Sequence, residues 1–478
     1  MLEIAKQDIL NRLRFDNPWW DTAAQRRIAF ETTPRRQYFT SFLQTVMDNS
    51  VRRAVVLMGP RRVGKTVMVY HAIKALLDQH IPAKQILYVS LETPIYTGLS
   101  LERILNYFQE SFGHERDANL FVFFDEIQYL KQWEVHLKSL VDSYPDYKFI
   151  ATGSAAAALR LRSQESGAGR FSDYVLPPLT FAEYLMFTEQ QEELIQYCDK
   201  IENGVQKTDY RCGNIAKLNQ EFVNYLNYGG YPEAVFSATI RQDPQQYIKS
   251  DIIDKVLLRD LPSLYGISDI QELNRLFTTI AYNTGNEISL ESLSKSSGVA
   301  KNTIRRYLEY LEAAFLIKRV ERLDQNAKRF KRANFFKVYL TNPSMRAALF
   351  GQIDAESDAM GELTETAIFS QWQHSKNSNL YYARWNGGEV DIIYLSSSTQ
   401  NAEWAVEVKW TDKPYYQPEK LDNCIEFIDK NPSVAQPLLI TSRTIEAENF
   451  VYQGVRFHFR PASLYAYVLG ANILQNIS

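Results

Sequence analysis

The sequence predicts an α/β protein: a parallel sheet flanked by helices, then a helical segment, a winged helix-turn-helix and a second α/β domain. The first observation is an apolar run at 54–58, followed by a glycine-rich loop and by helix-forming residues from 67 to 77. The second is that apolar runs and helical patterns go on alternating up to residue 151. The third is a group of short strand patterns after residue 379, preceded by a helix.

Length and composition limit the classes of protein. A chain of 478 residues is expected to hold about three domains, and 45% hydrophobic with 23% charged residues excludes global disorder. A net charge of −3 does not indicate a nucleic-acid binder, so any such surface must be local. The three cysteines, Cys198, Cys212 and Cys424, lack the spacing of a disulfide framework or a thiolate metal site.

The N-terminal residues carry acids where a signal peptide needs a basic and then an apolar region. No apolar run approaches the roughly 18 residues that cross a bilayer. The sequence therefore predicts a cytoplasmic protein without a membrane partner.

Residues 59–66, GPRRVGKT, match the phosphate-loop pattern G-x-x-x-x-G-K-[ST] between a strand and a helix. Glycines let successive backbone N–H groups turn toward phosphates, and the helix N-terminus adds positive field. We expect Lys65 to reach the β- and γ-phosphates and Thr66 to ligate Mg²⁺. The residues expected around a bound ATP are Gly59, Pro60, Arg61, Arg62, Val63, Gly64, Lys65 and Thr66.

An acidic pair ends the strand pattern at 120–124. Ligands bind at the carboxyl edge of parallel sheets, so Asp125 is expected to hold Mg²⁺ and Glu126 to orient or deprotonate the attacking water. The next strand ends in Thr152-Gly153-Ser154, where a hydroxyl could sense the γ-phosphate. Thr152 is favoured, because Ser154 would equally well cap a following helix.

Arg170 lies in a glycine-containing segment, and arginine can stabilise charge on a transferring phosphoryl group from its own or a neighbouring subunit. The second arrangement would require a homo-oligomer. Pro177-Pro178 then marks a boundary, and 180–261 is predicted to form a helical lid. The predicted domains are 1–176 (core with an N-terminal helical segment), 177–265 (lid), 266–345 (winged helix) and 346–478.

Three short helices are predicted from residue 271. A glycine turn joins the second helix to the third, which is the helix-turn-helix arrangement. The last helix is amphipathic. Its exposed, nucleic-acid-facing residues are expected to be Lys301, Asn302, Thr303, Arg305 and Arg306, and its core-facing residues Ile304, Tyr307, Leu308 and Leu311.

Two strands around a basic loop follow, as in a winged helix. Eight cations and two acids lie between 318 and 337: Lys318, Arg319, Arg322, Lys328, Arg329, Lys331, Arg332 and Lys337 against Glu321 and Asp324. Such a concentration fits phosphate contacts, with Arg329, Lys331 and Arg332 in the loop itself. Winged helices also dock proteins, so this alternative stays open.

The last domain places acids and a lysine on its strands. Strand alternation puts Glu407 and Lys409 on one face, and likewise Glu389 and Asp391. A helix before the strands carries Glu365. Burying an unpaired charge is unfavourable in free energy, so an acid and a lysine together on one face of a buried strand indicate a functional role. The alternative is a Glu407–Lys409 ion pair on an exposed face.

The order E…D…E-x-K in an α-β-β-β-α-β layout resembles the PD-(D/E)xK nuclease core. The resemblance implies that Asp391 and Glu407 bind Mg²⁺, that Glu365 completes the metal shell and that Lys409 positions or activates a hydroxide. Val390 stands where the motif has proline, and no ligand position is lost.

The chain as a whole resembles the prokaryotic family of AAA-type ATPases with a C-terminal nuclease-like domain of uncharacterised function. The segments that carry the resemblance are GPRRVGKT (59–66), FFDEIQ (123–128), ATGS (151–154), PPLTFAEYL (177–185), YGGYPEAV (228–235), GGEVDII (387–393) and AVEVKW (405–410). The family implies an ATP-binding core, a winged helix and a PD-(D/E)xK domain.

The leading hypothesis is an ATP-hydrolysing protein that acts on nucleic acid, DNA being favoured, and whose ATPase drives or gates a Mg²⁺-dependent nuclease domain. The main alternative is a nucleotide-dependent switch in signalling or defence, whose C-terminal domain binds nucleic acid or a partner protein without cleaving it. A non-catalytic DNA-binding regulator is disfavoured by the complete phosphate loop and by Asp125-Glu126.

Overall fold

The computed structural model describes residues 5–21, 28–153, 169–202, 205–330, 334–375 and 379–477, and for 199–202 and 205–207 the backbone alone. The chain divides into two compact units between Pro177 and Pro178, with the last two residues assigned to the first unit. Each unit is considered by itself below. No helix in the described ranges is both long enough and apolar enough to cross a membrane.

Unit 1 is a five-stranded parallel sheet with helices. Its elements are α1 (Lys6–Asp16), α2 (Phe39–Met47), β1 (Ala54–Met58), α3 (Lys65–Asp78), β2 (Ile86–Ser90), α4 (Leu101–Phe112), β3 (Phe121–Asp125), α5 (Trp133–Ser143), β4 (Lys148–Gly153) and β5 (Phe171–Val175). The strand order is β2-β3-β4-β1-β5. Strands β1 to β4 are almost entirely buried, which explains why they appear in the sequence as continuous apolar runs. The predicted parallel sheet is confirmed.

The first part of unit 2 contains α6 (Phe181–Phe187), α7 (Gln191–Leu194), β6 (Ile195–Glu202), β7 (Val205–Cys212), α8 (Ile215–Tyr228), α9 (Pro232–Phe236), α10 (Ala238–Gln242), α11 (Pro244–Ile248) and α12 (Leu261–Tyr265). The prediction that this whole region is helical is wrong, because β6 and β7 form an antiparallel hairpin. The sequence signal is the alternation that begins at Ile195 and Tyr197, where Tyr197 faces Tyr210 across the pair.

The helix-turn-helix region and the last domain follow. Their elements are α13 (Ile270–Tyr282), β8 (Glu287–Ser289), α14 (Leu290–Ser297), α15 (Lys301–Ala313), β9 (Ile317–Leu323), β10 (Phe335–Leu340), α16 (Ser344–Phe350), α17 (Met360–Trp372), β11 (Leu380–Trp385), β12 (Gly388–Leu395), β13 (Ala402–Glu407), α18 (Lys413–Tyr416), α19 (Asp422–Lys430), β14 (Leu438–Ser442), β15 (Ala447–Tyr452), β16 (Val455–Pro461) and α20 (Ala462–Gln475). Gly298, at φ +74°, ends α14 and makes the turn before α15.

One mixed sheet of nine strands joins these two regions, in the order β15-β16-β14-β13-β12-β11-β9-β10-β8. The connection is a short parallel pairing in which Tyr382 and Ala383 of β11 lie opposite Arg322 and Leu323 of β9. The strands of the predicted wing and those of the predicted nuclease-like domain therefore belong to one sheet, and the predicted boundary at 345/346 falls within the region that it spans.

Candidate functional site

The phosphate loop lies between β1 and α3, at the carboxyl edge of the parallel sheet. A Cβ atom on Gly59 would come within 2.2 Å of the Leu176 carbonyl oxygen, so only glycine fits there. Gly64 has φ +96° and directly precedes α3, in a backbone conformation that other residues rarely adopt. The loop geometry thus depends on the two glycines that the motif requires.

Lys65 is folded back onto this loop. Its ammonium group donates to the carbonyl oxygens of Gly59 (3.0 Å) and Pro60 (2.7 Å), and the residue is buried. Arg36, which is also buried, braces the loop by donating to the carbonyl oxygens of Val63 (2.9 Å) and Pro177 (3.1 Å). Arg36 was not identified from the sequence, because nothing in the sequence around it indicates a long-range contact.

Asp125 is the centre of the hydroxyl network at the end of β3. Its Oδ2 accepts from the hydroxyls of Thr66 (2.8 Å) and Tyr88 (2.9 Å), and its Oδ1 accepts from Thr152. The predicted proximity of Thr66 and Asp125 is therefore present. Hydroxyl and carboxylate oxygens are suitable Mg²⁺ ligands, so these two residues fit the predicted ion. Tyr88 is an additional member that the sequence did not single out.

Glu126 follows in a left-handed conformation, at φ 54°, which residues other than glycine seldom adopt. Its backbone N–H donates to Thr152 Oγ1 at 3.0 Å, and its carboxylate accepts from the Gln128 amide. Burial raises the pKa of Glu126, with Lys65 acting in the opposite direction. A carboxylate with a raised pKa is better suited to accept a proton.

Thr152 lies beside the acidic pair, as expected, and Arg170 lies away from it. Thr152 is 1% exposed, and its hydroxyl is engaged by Asp125 and by the Glu126 N–H, bonds that support the acidic pair. Arg170 precedes β5, and its carbonyl oxygen accepts a hydrogen bond from the Ala54 backbone N–H at the amino edge of the sheet. The five residues of β1 span about 16 Å, so Arg170 is remote from the phosphate loop of its own chain. Ser154 lies outside the described residues.

The predicted acids and lysine of unit 2 line one cavity of about 910 Å³. We call it the carboxylate–lysine cavity, defined by Glu365 of α17, Glu389 and Asp391 of β12, Glu407 of β13, Lys409, and Lys337 of β10. The Lys409 ammonium lies 2.6 Å from Glu407 Oε1 and 3.4 Å from Asp391 Oδ2. The two carboxylates are buried, so the alternative of an exposed surface ion pair is not what the structure has.

Lys337 is the residue of this cavity that sequence reasoning assigned to another role. Its ammonium lies 2.6 Å from Glu389, 2.7 Å from Glu365 and 3.4 Å from Asp391, and the residue is only 2% exposed. Tyr339, two residues further along β10, donates to the same Glu365 oxygen. Lys337 had been counted among the wing cations available to phosphate. That assignment is wrong, because the side chain is buried among carboxylates.

The electrostatics of the carboxylate–lysine cavity reflect deep burial. Burial raises the pKa of Glu365 to about 7, although Lys337 opposes the shift. Burial and the neighbouring Asp391 raise the pKa of Glu407 to about 7. For Asp391, burial alone would raise the pKa, but Lys409 and Lys337 outweigh it and the pKa is lowered. Asp391 is therefore the carboxylate that stays ionised most readily.

The fit of this cavity to a metal ion rests on Glu407. Its Oε2 atom is buried and has no hydrogen-bond partner, which is unusual for a carboxylate oxygen. In the described ranges no three histidine, cysteine, aspartate or glutamate side chains are grouped closely enough to hold a metal. The cavity therefore offers an unused oxygen beside Asp391, but no preformed three-ligand site.

The helix-turn-helix has the predicted sidedness. Ile304, Tyr307, Leu308 and Leu311 are buried on one side of α15, and Lys301, Asn302, Arg305 and Arg306 are exposed on the other, with Thr303 half-buried.

The wing cations are partly engaged within unit 2. Arg319 pairs with Glu312 at 2.6 Å, Arg322 with Glu287 at 3.4 Å, and Arg329 lies over the Tyr381 ring. The excess of eight cations over two acids between 318 and 337 therefore overstates the charge available to a ligand. Lys331 and Arg332 lie outside the described residues.

The phosphate loop and the Asp125-Glu126 pair define unit 1 as a nucleotide-binding P-loop domain, and the comparisons specify its class. Residues 51–185 match a family model described as an AAA domain. Residues 219–356 match a model described as a domain of unknown function, DUF8612. The chain thus contains a P-loop ATPase domain of the AAA type, for which ATP is the implied ligand.

Similar proteins are known from archaea and bacteria. The uncharacterized protein MJ1544 of Methanocaldococcus jannaschii is 23% identical over 366 residues, covering 75% of this chain and 76% of the relative. An uncharacterized protein of Haemophilus influenzae is 25% identical over 325 residues, covering 66% and 74%. Among solved structures, the Walker-type ATPase paby2304 of Pyrococcus abyssi aligns with 69% of this chain and 99% of its own, at 16% identity and a TM-score of 0.39.

Proposed function

We propose that this protein hydrolyses ATP in unit 1 and cleaves nucleic acid, with DNA as the preferred substrate, in the carboxylate–lysine cavity of unit 2. The observation that carries the nuclease part is the convergence of Asp391, Glu407 and Lys409 in one cavity, with the buried Glu407 Oε2 left without a partner. A buried carboxylate oxygen is rarely left unsatisfied unless a ligand or water completes it.

In unit 1, Lys65 would exchange its contacts with the loop carbonyls for the β- and γ-phosphates of ATP. Thr66 and Asp125, 2.8 Å apart, would hold Mg²⁺. Glu126 would orient the attacking water and accept its proton, which its raised pKa favours. Arg170 lies at the amino edge of its own sheet. It would therefore stabilise the transferring phosphoryl group only at the ATP site of a neighbouring subunit in a homo-oligomer.

In unit 2, Asp391 and Glu407 would hold Mg²⁺, which when bound supplies Lewis-acid stabilisation and lowers the pKa of a bound water. Lys409, 2.6 Å from Glu407, is placed to orient that water and to balance negative charge on the phosphate. Glu365 lies in the same cavity, where it keeps Lys337 in place.

The exposed face of α15 supports the assignment of nucleic acid as substrate. Lys301, Asn302, Arg305 and Arg306 are exposed at the start of the helix that follows the turn. In helix-turn-helix proteins this position enters the major groove, and arginine and lysine there contact phosphates or guanine edges.

The proposal is tested by incubating linear and branched DNA with the full chain and Mg²⁺ or Mn²⁺, with and without ATP. Lys409→Ala and Glu407→Gln should abolish cleavage. Lys413→Ala is the matched control, because Lys413 is an exposed lysine lining the same cavity and has no role in the proposed chemistry. Lys65→Ala should remove only the ATP dependence. If no substrate is cut under any condition, or if Lys409→Ala cuts as well as the wild type, the nuclease assignment fails.

A second candidate is a nucleotide-dependent switch that binds nucleic acid or a partner protein without cleaving it. The observation in its favour is that Lys337 and Lys409 are already paired with carboxylates of the cavity. This candidate predicts DNA-stimulated ATP hydrolysis with no cleavage, and stimulation that is lost in Arg305→Ala/Arg306→Ala and kept in Lys409→Ala.

A further inference from the structure

Asp391 divides the carboxylate–lysine cavity into two halves through its two carboxylate oxygens. Its Oδ1 lies 3.4 Å from the Lys337 ammonium. Its Oδ2 accepts from the Val408 backbone N–H at 2.9 Å and lies 3.4 Å from the Lys409 ammonium. The two halves therefore have different cationic neighbours and can be considered in turn.

The Oδ1 half is filled by Lys337. An ammonium group has three N–H donors, and Lys337 has three carboxylates around it: Glu365, Glu389 and Asp391, at 2.7, 2.6 and 3.4 Å. The side chain is 3% exposed, and β10 holds it by pairing with strands on both sides. A divalent ion bound to Glu365 and Asp391 Oδ1 would have to share the same oxygens with this ammonium, and like charges at such distances repel strongly.

The Oδ2 half has an unused acceptor. Glu407 Oε1 lies 2.6 Å from the Lys409 ammonium, but its Oε2 is buried with no hydrogen-bond partner. The Lys409 side chain is 36% exposed, so an ion at Asp391 Oδ2 can displace its ammonium toward solvent, whereas Lys337 is enclosed. Mg²⁺ commonly binds through one or two carboxylates and keeps several waters. Two carboxylates, Asp391 and Glu407, are therefore sufficient for one ion here, without a third protein ligand.

We infer that the cavity takes a single divalent cation, at Asp391 and Glu407, and that the ammonium of Lys337 stands permanently where a second ion would otherwise bind. This inference rests on the proposed function for the identity of the site. It changes the role of Glu365, which becomes a partner of Lys337 instead of a metal ligand. It also makes Lys337 a positioning residue contributed by a strand of the wing.

The test counts Mn²⁺ bound to the nucleotide-free full chain, by electron paramagnetic resonance of the free ion and by calorimetry. Ions bound elsewhere, including near Asp125, are common to all variants and cancel in the comparison. The number of Mn²⁺ ions bound by Glu407→Gln is the baseline without the cavity ion. The wild type should bind one ion more than Glu407→Gln, and Lys337→Met should bind two more, because it vacates the carboxylates of the Oδ1 half.

Three further variants complete the comparison. Lys337→Arg keeps the charge and should bind as the wild type does. Lys413→Met removes an exposed positive charge from the lining of the same cavity, and it should also leave the count unchanged. Glu365→Gln should keep the wild-type ion, which tests the position of the single ion even if Lys337→Met does not fold.

Loss of the ion in Glu365→Gln, two cavity ions in the wild type, or an unchanged count in folded Lys337→Met would each overturn the inference. DNA cleavage by a wild type with two cavity ions would leave the proposed function standing without the inference. One ion in the wild type and two in Lys337→Met, with no cleavage of any DNA, would leave the inference standing without the nuclease.

Discussion

Replacement of Thr152 by valine tests how the acidic pair of the ATPase site is held in place. Valine has nearly the same shape as threonine, so the change removes the hydroxyl without leaving a cavity. The wild-type hydroxyl donates to Asp125 Oδ1 and accepts from the Glu126 N–H at 3.0 Å, in a position that is 1% exposed. Valine therefore removes a donor from the Asp125 carboxylate and leaves the Glu126 backbone N–H without its acceptor.

The magnitude follows from these two losses. A hydrogen bond to a charged group contributes about 1.5–3 kcal/mol, and an unsatisfied buried donor costs about 1–3 kcal/mol. Allowing for partial rearrangement, we expect unit 1 to be destabilised by about 3 kcal/mol. For a domain of this size that corresponds to a fall in Tm of about 6–12 °C. ATP turnover should fall about tenfold or more, as when a residue that orients a metal-ligating carboxylate is lost.

The assay is differential scanning calorimetry of the full chain together with steady-state ATP hydrolysis. The transition of unit 1 is identified as the one that moves upward when a non-hydrolysable ATP analogue is added. Thr152→Ser keeps the hydroxyl and is the matched control, with a transition close to that of the wild type. A Thr152→Val protein with unchanged Tm but lost turnover would refute the supporting role and favour direct contact with the γ-phosphate.

Three other results are expected. Lys65→Ala should weaken ATP binding by about 10- to 150-fold, measured by calorimetry, because a charge-assisted hydrogen bond of about 1.5–3 kcal/mol is lost; affinity within threefold of the wild type would contradict the assignment of the phosphate loop. Arg170→Ala should leave the ATP affinity of dilute, monomeric protein unchanged, since the residue lies at the amino edge of the sheet and pairs with exposed Asp142; a weakened affinity would show that it reaches the nucleotide of its own chain. The pKa of Glu407 is raised from 4.5 to about 7, so the folded state binds the carboxyl proton more tightly than the unfolded state does. The protonated Glu407 side chain therefore adds to the free energy of unfolding below pH 4.5, and this contribution is lost as the pH rises through about 7. In metal-free buffer the Tm of Glu407→Gln relative to the wild type should therefore increase between pH 5 and pH 8, and a constant difference would contradict the raised pKa.

Much of the ATPase site could be predicted because its signals are local. The glycines of the loop, the lysine and hydroxyl after it, and the two acids after an apolar strand are set by short-range backbone and strand-edge geometry. The two faces of α15 follow in the same way from the helical period. Tyr88, by contrast, reaches Asp125 only because β2 and β3 are neighbours, with Tyr88 opposite Phe123. Strand order is a property of the whole sheet and leaves no local signal.

By itself the sequence paired Glu407 with Lys409 and Glu389 with Asp391, because alternation within a strand decides which side chains share a face. The resemblance to the nuclease core then implied that Glu365 belongs with them. Only the tertiary structure decided that Lys337 joins them. Two strands separate β10 from β12 in the sheet, which in a flat arrangement would be about 14 Å, yet the Lys337 ammonium lies 2.6 Å from Glu389. The long side chains of Lys337 and Glu389 meet across the intervening strands, and only the strand order of the whole sheet brings them within reach of each other. A lysine that appears in the sequence as part of a basic wing is thereby buried among three carboxylates.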